Sequence, residues 1–377
     1  MKKILAMLLL ACMVLSLAAC GQQAAPAAPA EEPAAPAEEP AAPAEEPAAP
    51  AEEPAAPAEE PAPAEEPAAA AEYKLGMGVV VKLDSSKTGT AQVDATAAAV
   101  VTDAEGKIVA VKLDVAQNKM DITDGGVETE KEFKTKVELG DDYNMVKFGG
   151  STYEWYQQAA AFEEYVIGKT ADEVKGTETK QDGEHVVFVD ETLYASCSIS
   201  VEDFIDAVVK ACNDDQGQTF TADEFKLGLA AITEIDKATK AATADEDGLA
   251  AMYTNFAAVA VDAEGKILAS IIDEIQPKIS FNAAGEITDP AFKATKRELK
   301  EDYNMVKFGG STYEWYQQAQ SFVDYTVGKT AEELKATETV ANEEGNQVFA
   351  DETLYASVSI SIDGMIKVLL QAIDYAK

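Results

Sequence analysis

Three stretches of the chain carry apolar and β-branched residues in partial alternation. They cover residues 74–83, 92–102 and 107–115, and the turn sequence Asp103-Ala104-Glu105-Gly106 leads into the last of them. A period of two predicts strands, and short turns between strands predict antiparallel pairing. The pattern therefore predicts an antiparallel meander of at least three strands.

The period changes to a helical one further along the chain. Ser151 and Glu154 have the spacing of a capping box, and the positions after them predict an amphipathic helix over 152–167. The apolar stripe of this helix contains Trp155, Ala159, Phe162 and Val166.

Shorter elements complete the pattern. Thr170 and Glu173 form a second capping box that opens a short helix, and residues 185–189 read as a strand. A final amphipathic helix covers 201–212, with Ser200 as its expected N-cap. Strands followed by helices indicate an α+β fold.

The whole pattern occurs twice, as an internal duplication. The block AAAVVTDAEGKIVA at 97–110 returns as FAAVAVDAEGKILA at 256–269, and DETLYASCSIS at 190–200 returns as DETLYASVSIS at 351–361. Each copy has the size of one compact domain, so we expect two folded units in series. The expected bounds are repeat 1 at 72–213, an inter-domain linker at 214–223 and repeat 2 at 224–377.

One block of the repeat is copied without any change. The sequence DYNMVKFGGSTYEWYQQA occurs at 142–159 and again at 302–319. Its helical register assigns Trp155 to the core, whereas the glycine pairs and the tyrosines off the apolar stripe are able to face a flat ring or a phosphate. Core packing and a ligand-facing surface are both open for Gly149, Gly150, Tyr153, Tyr156, Gly309, Gly310, Tyr313 and Tyr316.

The N-terminus has the features of an export signal. Lys2 and Lys3 precede an apolar run at 4–15, and the run is followed by Leu17-Ala18-Ala19-Cys20. Because the run is too short for a transmembrane helix and ends at small residues, we expect a signal peptide over 1–19. The order Leu-Ala-Ala-Cys resembles the bacterial lipoprotein motif, which implies a diacylglycerol on Cys20. The alternative is an ordinary cleaved signal that leaves a free thiol at Cys20.

Residues 20–71 are expected to form an extended linker. From Ala24 the sequence repeats E-E-P-A-A-P-A and has no apolar residue larger than alanine. Regular prolines prevent a helix, and such a segment buries no core. At ~3.1 Å per residue, roughly 45 residues would reach about 140 Å, far enough to carry a domain into the cell wall.

The chain is strongly acidic, with a formal net charge of −38. Such a surface repels nucleic acid and anionic lipid, so we expect no nucleic-acid partner and expect membrane attachment only through the lipid on Cys20. Simple solubility, a cationic partner or a metal ion would each fit this charge.

Few residues suggest reactive chemistry. Cys197 and Cys212 are open to pairing or to burial as free thiols, and His185 lies alone in a polar turn. The acidic segment 213–224 departs from an EF-hand loop because Gly217 comes one position too early, so no metal site is expected. Hydrolase, P-loop and catalytic-triad signatures are absent, which favours an electron carrier or a binding protein over a catalyst with its own turnover.

Three features of each copy resemble a known family. The strand sequence DAEGKIVAVKLD, the mid-domain aromatic helix and the small-residue segment running into VEDFIDAVVKA resemble the extracytoplasmic FMN-binding domain. That domain occurs in flavin-carrying subunits of sodium-pumping quinone reductase and Rnf complexes, and in tandem on lipoproteins of Gram-positive bacteria. The resemblance implies FMN as cofactor, with membrane redox proteins and a flavin transferase as partners.

The resemblance also points to two serines. In that family Ser-Gly-Ala-Thr precedes the last helix, and its threonine carries FMN through a phosphodiester. Ser198 and Ser359 stand at the acceptor position here, but the glycine is missing in both copies and the upstream Glu-Thr-Pro-Gly stretch has no counterpart. The two serines are therefore either phosphate anchors or ordinary strand-end residues.

Two functions follow from these observations. In the first, the chain is a lipid-anchored protein on the extracytoplasmic face of the cell membrane, and its two FMN-binding-like domains carry flavin for electron transfer across the envelope. In the second, the fold is kept without flavin, and the aromatic Gly-Gly face binds another ligand or a protein partner.

Overall fold

The computed structural model describes residues 70–376. The expected signal peptide at 1–19, Cys20 and nearly all of the linker at 20–71 lie outside the described residues. Their assignments stay predictions.

The first copy of the repeat is a long meander followed by helices and a small hairpin. Its strands are β1 (Ala71–Lys82), β2 (Thr90–Thr102), β3 (Ile108–Thr123), β4 (Gly126–Val127), β5 (Thr179–Asp182) and β6 (His185–Phe188). Its helices are α1 (Lys136–Leu139), α2 (Met145–Gly149), α3 (Trp155–Val166), α4 (Ala171–Lys175), α5 (Glu191–Ser196) and α6 (Glu202–Cys212), with a 3₁₀ turn at Gly140–Tyr143.

The second copy repeats this order after one additional strand. The strands are β7 (Gln218–Ala222), β8 (Lys226–Ile235), β9 (Gly248–Val261), β10 (Ile267–Ile275), β11 (Lys278–Phe281), β12 (Ile287–Ala291), β13 (Thr339–Ala341) and β14 (Gln347–Phe349). The helices are α7 (Lys296–Leu299), α8 (Met305–Gly309), α9 (Trp315–Thr326), α10 (Ala331–Lys335), α11 (Glu352–Ser357) and α12 (Asp363–Tyr375), with a 3₁₀ turn at Lys300–Tyr303.

The fold is α+β, with antiparallel sheets and separate helices, as the sequence predicts. The three-stranded meander, the capping box at Thr170 and the strand near 185–189 are confirmed. Two predicted caps are wrong. Glu154, not Ser151, is the N-cap of α3, and its capping-box partner is Gln157. Val201, not Ser200, is the N-cap of α6, because the Ser200 hydroxyl instead accepts a hydrogen bond from the N–H of Val186 at 3.2 Å.

All strand pairs are antiparallel. The first sheet has the order β4-β3-β2-β1-β7. In the second sheet β9 is central: it pairs with β8 and β10 along most of its length, and with β11 near its start, and β12 then pairs with β11. The small hairpins β5-β6 and β13-β14 stand apart from the main sheets.

The two sheets share one hydrophobic core. Leu75, Val93 and Met120 of the first sheet and Phe256 and Phe281 of the second belong to a single cluster of buried side chains. A second cluster joins the other face of the first sheet to α3 and α6, and a third joins the other face of the second sheet to α9 and α12. The layers are therefore helix, sheet, sheet, helix, and the two copies are packed through a common core rather than only joined in series.

The segment expected as a linker at 214–223 is structured, which corrects that expectation. Its strand β7 pairs with β1, from Leu75 opposite Gln218 to Ala71 opposite Ala222. Asp214 accepts hydrogen bonds from the N–H of Met77 and forms an ion pair with Arg297 of the second copy. The segment thus adds an edge strand to the first sheet and ties the two copies together.

Each long C-terminal helix lies directly on a strand that carries glycine. A Cβ at Gly228 would be only 1.9 Å from the carbonyl oxygen of Ala372, and a Cβ at Gly76 only 2.0 Å from that of Ala211. Any side chain at these positions would push the helix away from its sheet. The glycines therefore set the depth at which α12 and α6 pack, and with it the position of the segments just before them.

Candidate functional site

The copied Gly-Gly block forms the same short structure in both copies. Gly150 and Gly310 are the C-caps of helices α2 and α8, and they have φ of 69° and 66°. This left-handed conformation suits glycine and turns the chain sharply. Phe148 and Phe308, just before the turn, are each 77% exposed. The block is thus a protruding turn that begins and ends on the helix layer.

A buried glutamine in each copy connects this turn to the candidate serine. Gln158 is 1% exposed, and its side-chain NH₂ donates to the Ser151 hydroxyl at 2.8 Å and to the carbonyl of Tyr153 at 2.9 Å. Its side-chain oxygen accepts from the N–H of Ser198 at 2.8 Å and from the Ser198 hydroxyl at 3.2 Å. The glutamine therefore fixes the turn relative to the segment before α6.

The second copy repeats this arrangement closely. Gln318 donates to Ser311 at 2.9 Å and to the carbonyl of Tyr313 at 2.9 Å, and it accepts from the N–H and hydroxyl of Ser359 at 2.8 and 3.2 Å. It also accepts from the N–H of Ile360 at 3.2 Å. Gln318 is 1% exposed, so these bonds are protected from water.

A glutamate in the same block joins two helices. The carboxylate of Glu154 accepts from the N–H of Met145 at 2.7 Å, at the start of α2, while Glu154 itself caps α3. Glu314 does the same for Met305 and α9. Most of the copied block is thus explained by internal packing and hydrogen bonding. The sequence contains a signal for the glutamine, because Gln158 falls on the apolar stripe three residues after Trp155.

Three of the four candidate tyrosines are exposed, whereas Tyr316 is half-buried against the core cluster of the second copy. Tyr153 and Tyr313 are each 43% exposed. The Tyr156 hydroxyl donates to Asp141 at 3.2 Å and the Tyr316 hydroxyl to Glu301 at 2.8 Å, and these carboxylates raise the pKa of both phenols. Trp155 and Trp315 are each 2% exposed, as the helical register predicts for Trp155.

The second copy contains a cleft of about 1270 Å³ that brings several candidate residues together. Gly309, Gly310 and Ser359 all line it. Its lining comes from the ends of β8 and β10, the middle of β9, the hairpin β13-β14 and the start of α12 at Gly364. Tyr313 and Tyr316 are not among its lining residues.

A buried lysine forms the polar centre of the cleft lining. Lys296 is 6% exposed, and its ammonium lies 2.6 Å from the carboxylate of Glu274. The same ammonium lies over the rings of three aromatic residues, at 4.7, 5.1 and 5.4 Å from the ring centres of Tyr253, Tyr303 and Trp315. Burial alone would lower the pKa of Lys296, but the charges and hydrogen bonds of Glu274 and Tyr303 together outweigh it and raise the pKa. Burial and Glu274 also raise the pKa of Tyr253.

The corresponding lysine of the first copy has a different environment. Lys136 lies over Tyr143 and Trp155, at 5.0 and 5.4 Å from the ring centres. The position of Glu274 is taken by Val115 in the first copy, since both follow the aligned aspartates Asp114 and Asp273. Burial therefore lowers the pKa of Lys136. The two copies have the same arrangement of strands and helices here, but different side chains surround the lysine.

The start of α12 does not fit an FMN phosphate. Asp363 stands in the first turn of that helix, and seven of the residues that line the cleft are acidic whereas two are lysines. Lys296 is already paired with Glu274, and the hydroxyl of Ser359 is already bonded to Gln318. In the first copy Glu202 and Asp203 similarly occupy the first turn of α6. A phosphate dianion at either serine would meet these carboxylates.

The cysteines and the acidic segment carry no reactive centre in the part of the chain that the structure describes. Cys197 and Cys212 are free thiols, and burial raises the pKa of Cys197 to about 12 and that of Cys212 to about 11. Among residues 70–376, no group of three or more His, Cys, Asp or Glu side chains is arranged to hold a metal ion. Asp214 and Asp215 of the acidic segment pair with Arg297 and Lys300 instead.

Comparison with known proteins does not show a family for this chain. No family model matches the chain, no curated protein matches it and no solved structure matches it. None of the helices within residues 70–376 is both long and apolar enough to cross a membrane.

Proposed function

We propose that this chain is a lipid-anchored protein of the cell surface that binds a small ligand in the cleft of its second copy. The observation that carries the proposal is the cleft itself. Its size is ample for a small organic molecule, and strands β8, β9 and β10 and helix α12 supply part of its lining. The two copies share one frame but differ in the residues around Lys136 and Lys296, and functional sites commonly differ on a shared fold.

The location is part of the same proposal. The motif ending in Cys20 would place a diacylglycerol at the mature N-terminus, on the extracytoplasmic face of the membrane. The Ala/Glu/Pro-rich segment at 20–71 would then serve as the tether that extends into the cell wall, with both repeat domains at its end. The net charge of −38 supports this arrangement, because it opposes adhesion to anionic surfaces.

Electron transfer with FMN is the competing function that the resemblance implies. Gly309, Gly310 and Ser359 line one cleft, which supports a ligand there, but the carboxylates around Ser359 favour a ligand other than a flavin phosphate. The non-redox function is therefore the one we adopt. Riboflavin and FMN provide the direct comparison, because they differ only in the phosphate.

The experiment introduces a larger side chain into the cleft and measures ligand binding by calorimetry. A Cβ at Gly364 would lie 3.1 Å from the side-chain nitrogen of Asn255, so Gly364→Leu places a neutral side chain in the cleft. The purified chain and this variant are titrated with FMN, riboflavin, putrescine and succinate. We expect at least one of these to bind the unaltered chain and to lose most of its affinity in the variant. Asp374→Leu, at an exposed position of the same helix, is the control and should bind normally.

Two results would contradict the proposal. One is that none of the four compounds binds. The other is that binding occurs but is the same in Gly364→Leu as in the control. Visible flavin absorbance that stays with the chain through denaturation would instead favour the covalent FMN that the resemblance implies.

A further inference from the structure

One side chain in the cleft lacks a hydrogen-bond partner. Asn255 is 3% exposed and lines the cleft, and its side-chain oxygen is buried without a partner among the described residues. A buried amide oxygen without a donor costs free energy comparable to a lost hydrogen bond. The position therefore calls for a donor that the chain itself does not provide.

Strand register places Asn255 among polar neighbours. On β10, Glu274 is directly opposite Asn255, and on β8 the residue opposite the nearby Tyr253 is Glu234. Alternate residues of a strand share a face, so Tyr253 and Asn255 point to the same side of the sheet. They line the cleft together with Glu234 and Glu274.

The charge of this surface favours a cation. Glu274 is neutralised by Lys296 at 2.6 Å, and Asp363 is paired with Lys367 at 2.6 Å. Glu234 forms no ion pair among the residues that the structure describes. The nearby ammonium of Lys367 interacts with its charge but pairs with Asp363. Among the described residues Glu234 therefore presents a carboxylate without an ion-pair partner, at the same end of the cleft as the unpartnered oxygen of Asn255.

The first copy shows what kind of group belongs at this place. The aligned blocks EYKLGMGVVVKLD at 72–84 and EFKLGLAAITEID at 224–236 match Lys82 with Glu234. In the first copy the ammonium of Lys82 lies 2.6 Å from Asp203 and 3.1 Å from Glu202, at the start of α6. In the first copy, a lysine of the chain itself therefore supplies an ammonium group at the start of this helix.

In the second copy the ammonium at this helix comes from a different position, because Lys367 pairs with Asp363. Glu234 replaces Lys82, Gly364 replaces Asp203 and Asn255 replaces Thr96. The acidic residue at the first helical position is kept, as Glu202 in α6 and Asp363 in α12. Lys367 already pairs with Asp363, whereas no ammonium of the described residues forms an ion pair with Glu234. The part of the cleft beside Glu234, Asn255 and Gly364 is therefore open to an external amine.

We propose that the cleft of the second copy binds a small primary amine, whose ammonium lies beside Glu234 and donates a hydrogen bond to the side-chain oxygen of Asn255. This ligand class rests on the proposed function, in which the cleft is the binding site. A primary ammonium supplies both things that the site lacks, a positive charge and an N–H donor.

Three compounds separate these two contributions. Putrescine carries primary ammonium groups, choline carries a positive charge without any N–H donor, and succinate carries negative charge on a chain of comparable length. Binding is measured by calorimetry with the full chain at about 0.15 M salt, where long-range attraction by the acidic surface is screened. We expect putrescine to bind at least about tenfold more tightly than choline, and succinate not to bind.

Two substitutions test the named residues. Asn255→Thr installs the residue of the first copy and should weaken putrescine binding about tenfold, while affecting choline little. Glu234→Gln, at an exposed position, should weaken both cations. Glu264→Gln removes the same charge from an exposed turn outside the cleft and should leave binding unchanged.

The results that would overturn the amine proposal are distinct from those that would overturn ligand binding itself. FMN, riboflavin or succinate could bind the unaltered chain and lose affinity in Gly364→Leu, while putrescine does not bind. In that case the cleft is a binding site but the ligand class proposed here is wrong. If putrescine binding is weakened equally by Glu234→Gln and Glu264→Gln, it is diffuse attraction to the acidic surface, and the assignment fails. Putrescine that binds Asn255→Thr and the unaltered chain equally also refutes it.

Discussion

The side-chain oxygen of Gln318 accepts hydrogen bonds from both the N–H and the hydroxyl of Ser359, at 2.8 and 3.2 Å. The same pair occurs in the first copy between Gln158 and Ser198. The serines that the resemblance to the FMN-binding domain would make anchors are therefore part of a buried network that holds the copied Gly-Gly turn in place. A structural role accounts for most of this block, but not for its exposed Phe148 and Phe308.

Replacing the glutamine should destabilise the fold. Gln318→Leu leaves the N–H of Ser359 and the carbonyl of Tyr313 without their partner, and buried groups in that state cost about 1 to 3 kcal/mol each. We expect the free energy of unfolding, measured by urea denaturation, to fall by about 3 kcal/mol. Gln181→Leu, in the exposed hairpin of the first copy, should change it by less than about 0.5 kcal/mol. If the two substitutions lowered the free energy of unfolding equally, the hydrogen bonds of Gln318 would not stabilise the fold as proposed.

Arg297 and Asp214 form the principal buried ion pair between the copies. The two guanidinium nitrogens lie 3.1 and 3.2 Å from the two carboxylate oxygens, and both side chains are less than a tenth exposed. Removing one partner of such a pair strands the other charge, so Arg297→Met should lower the free energy of unfolding by about 3 kcal/mol. Lys300→Met breaks the exposed pair with Asp215, and we expect no resolvable change from it. If Arg297→Met left the free energy of unfolding unchanged, water would have to solvate the carboxylate of Asp214 in place of the guanidinium.

The periodic parts of this fold were the ones open to prediction. Alternation located the meander, and helical spacing placed Trp155 in the core, because side chains on one face recur at fixed intervals whatever their partner is. The period does not show which other element each face packs against. The inner face of β1 packs against the other copy, and the acidic segment at 214–223 becomes strand β7 only because β1 offers a free edge.

The candidate site was predictable only in part, for a related reason. Gly309, Gly310 and Ser359 do line the cleft, but Asn255, Glu274 and Lys296 come from two strands and a short helix whose ends meet only in the folded chain. Comparison of the copies contains one usable signal. Lys82 and Asp203 of the first copy are opposite in charge, and both are lost together in the second, which is the pattern of a broken ion pair.

The shared core predicts that both copies unfold together. Phe281 is fully buried in the cluster between the sheets, so Phe281→Ala should cost about 3 to 5 kcal/mol and shift the melting of the whole chain. Phe322, buried under the helices of the second copy alone, provides the matched comparison as Phe322→Ala. Calorimetry should show one transition in the unaltered chain and in both variants. Two resolved transitions, with only one of them moved by Phe281→Ala, would show that the copies are independent domains after all.

Glu163 makes the folded chain less stable as the pH rises, which is the reverse of the usual effect of a carboxyl group. Its carboxylate accepts a hydrogen bond from the N–H of Leu113 at 2.7 Å, yet burial raises its pKa from 4.5 to about 7. Burial likewise raises the pKa of Asp114 and of Asp273 to about 6. The folded chain therefore holds these protons more tightly than the unfolded chain does.

Stability from Glu163 is thus fully present below pH 4.5 and is lost as the pH rises to about 7. Glu163→Gln removes this dependence, whereas Glu164→Gln removes the same charge from the exposed neighbouring position. Urea midpoints measured across that range at constant ionic strength should fall with pH in the unaltered chain and equally in Glu164→Gln. In Glu163→Gln the fall should be smaller, and only the part due to Asp114 and Asp273 should persist. Identical slopes in the two variants would mean that the carboxyl of Glu163 is solvated in the folded chain and that general charge repulsion sets the pH dependence.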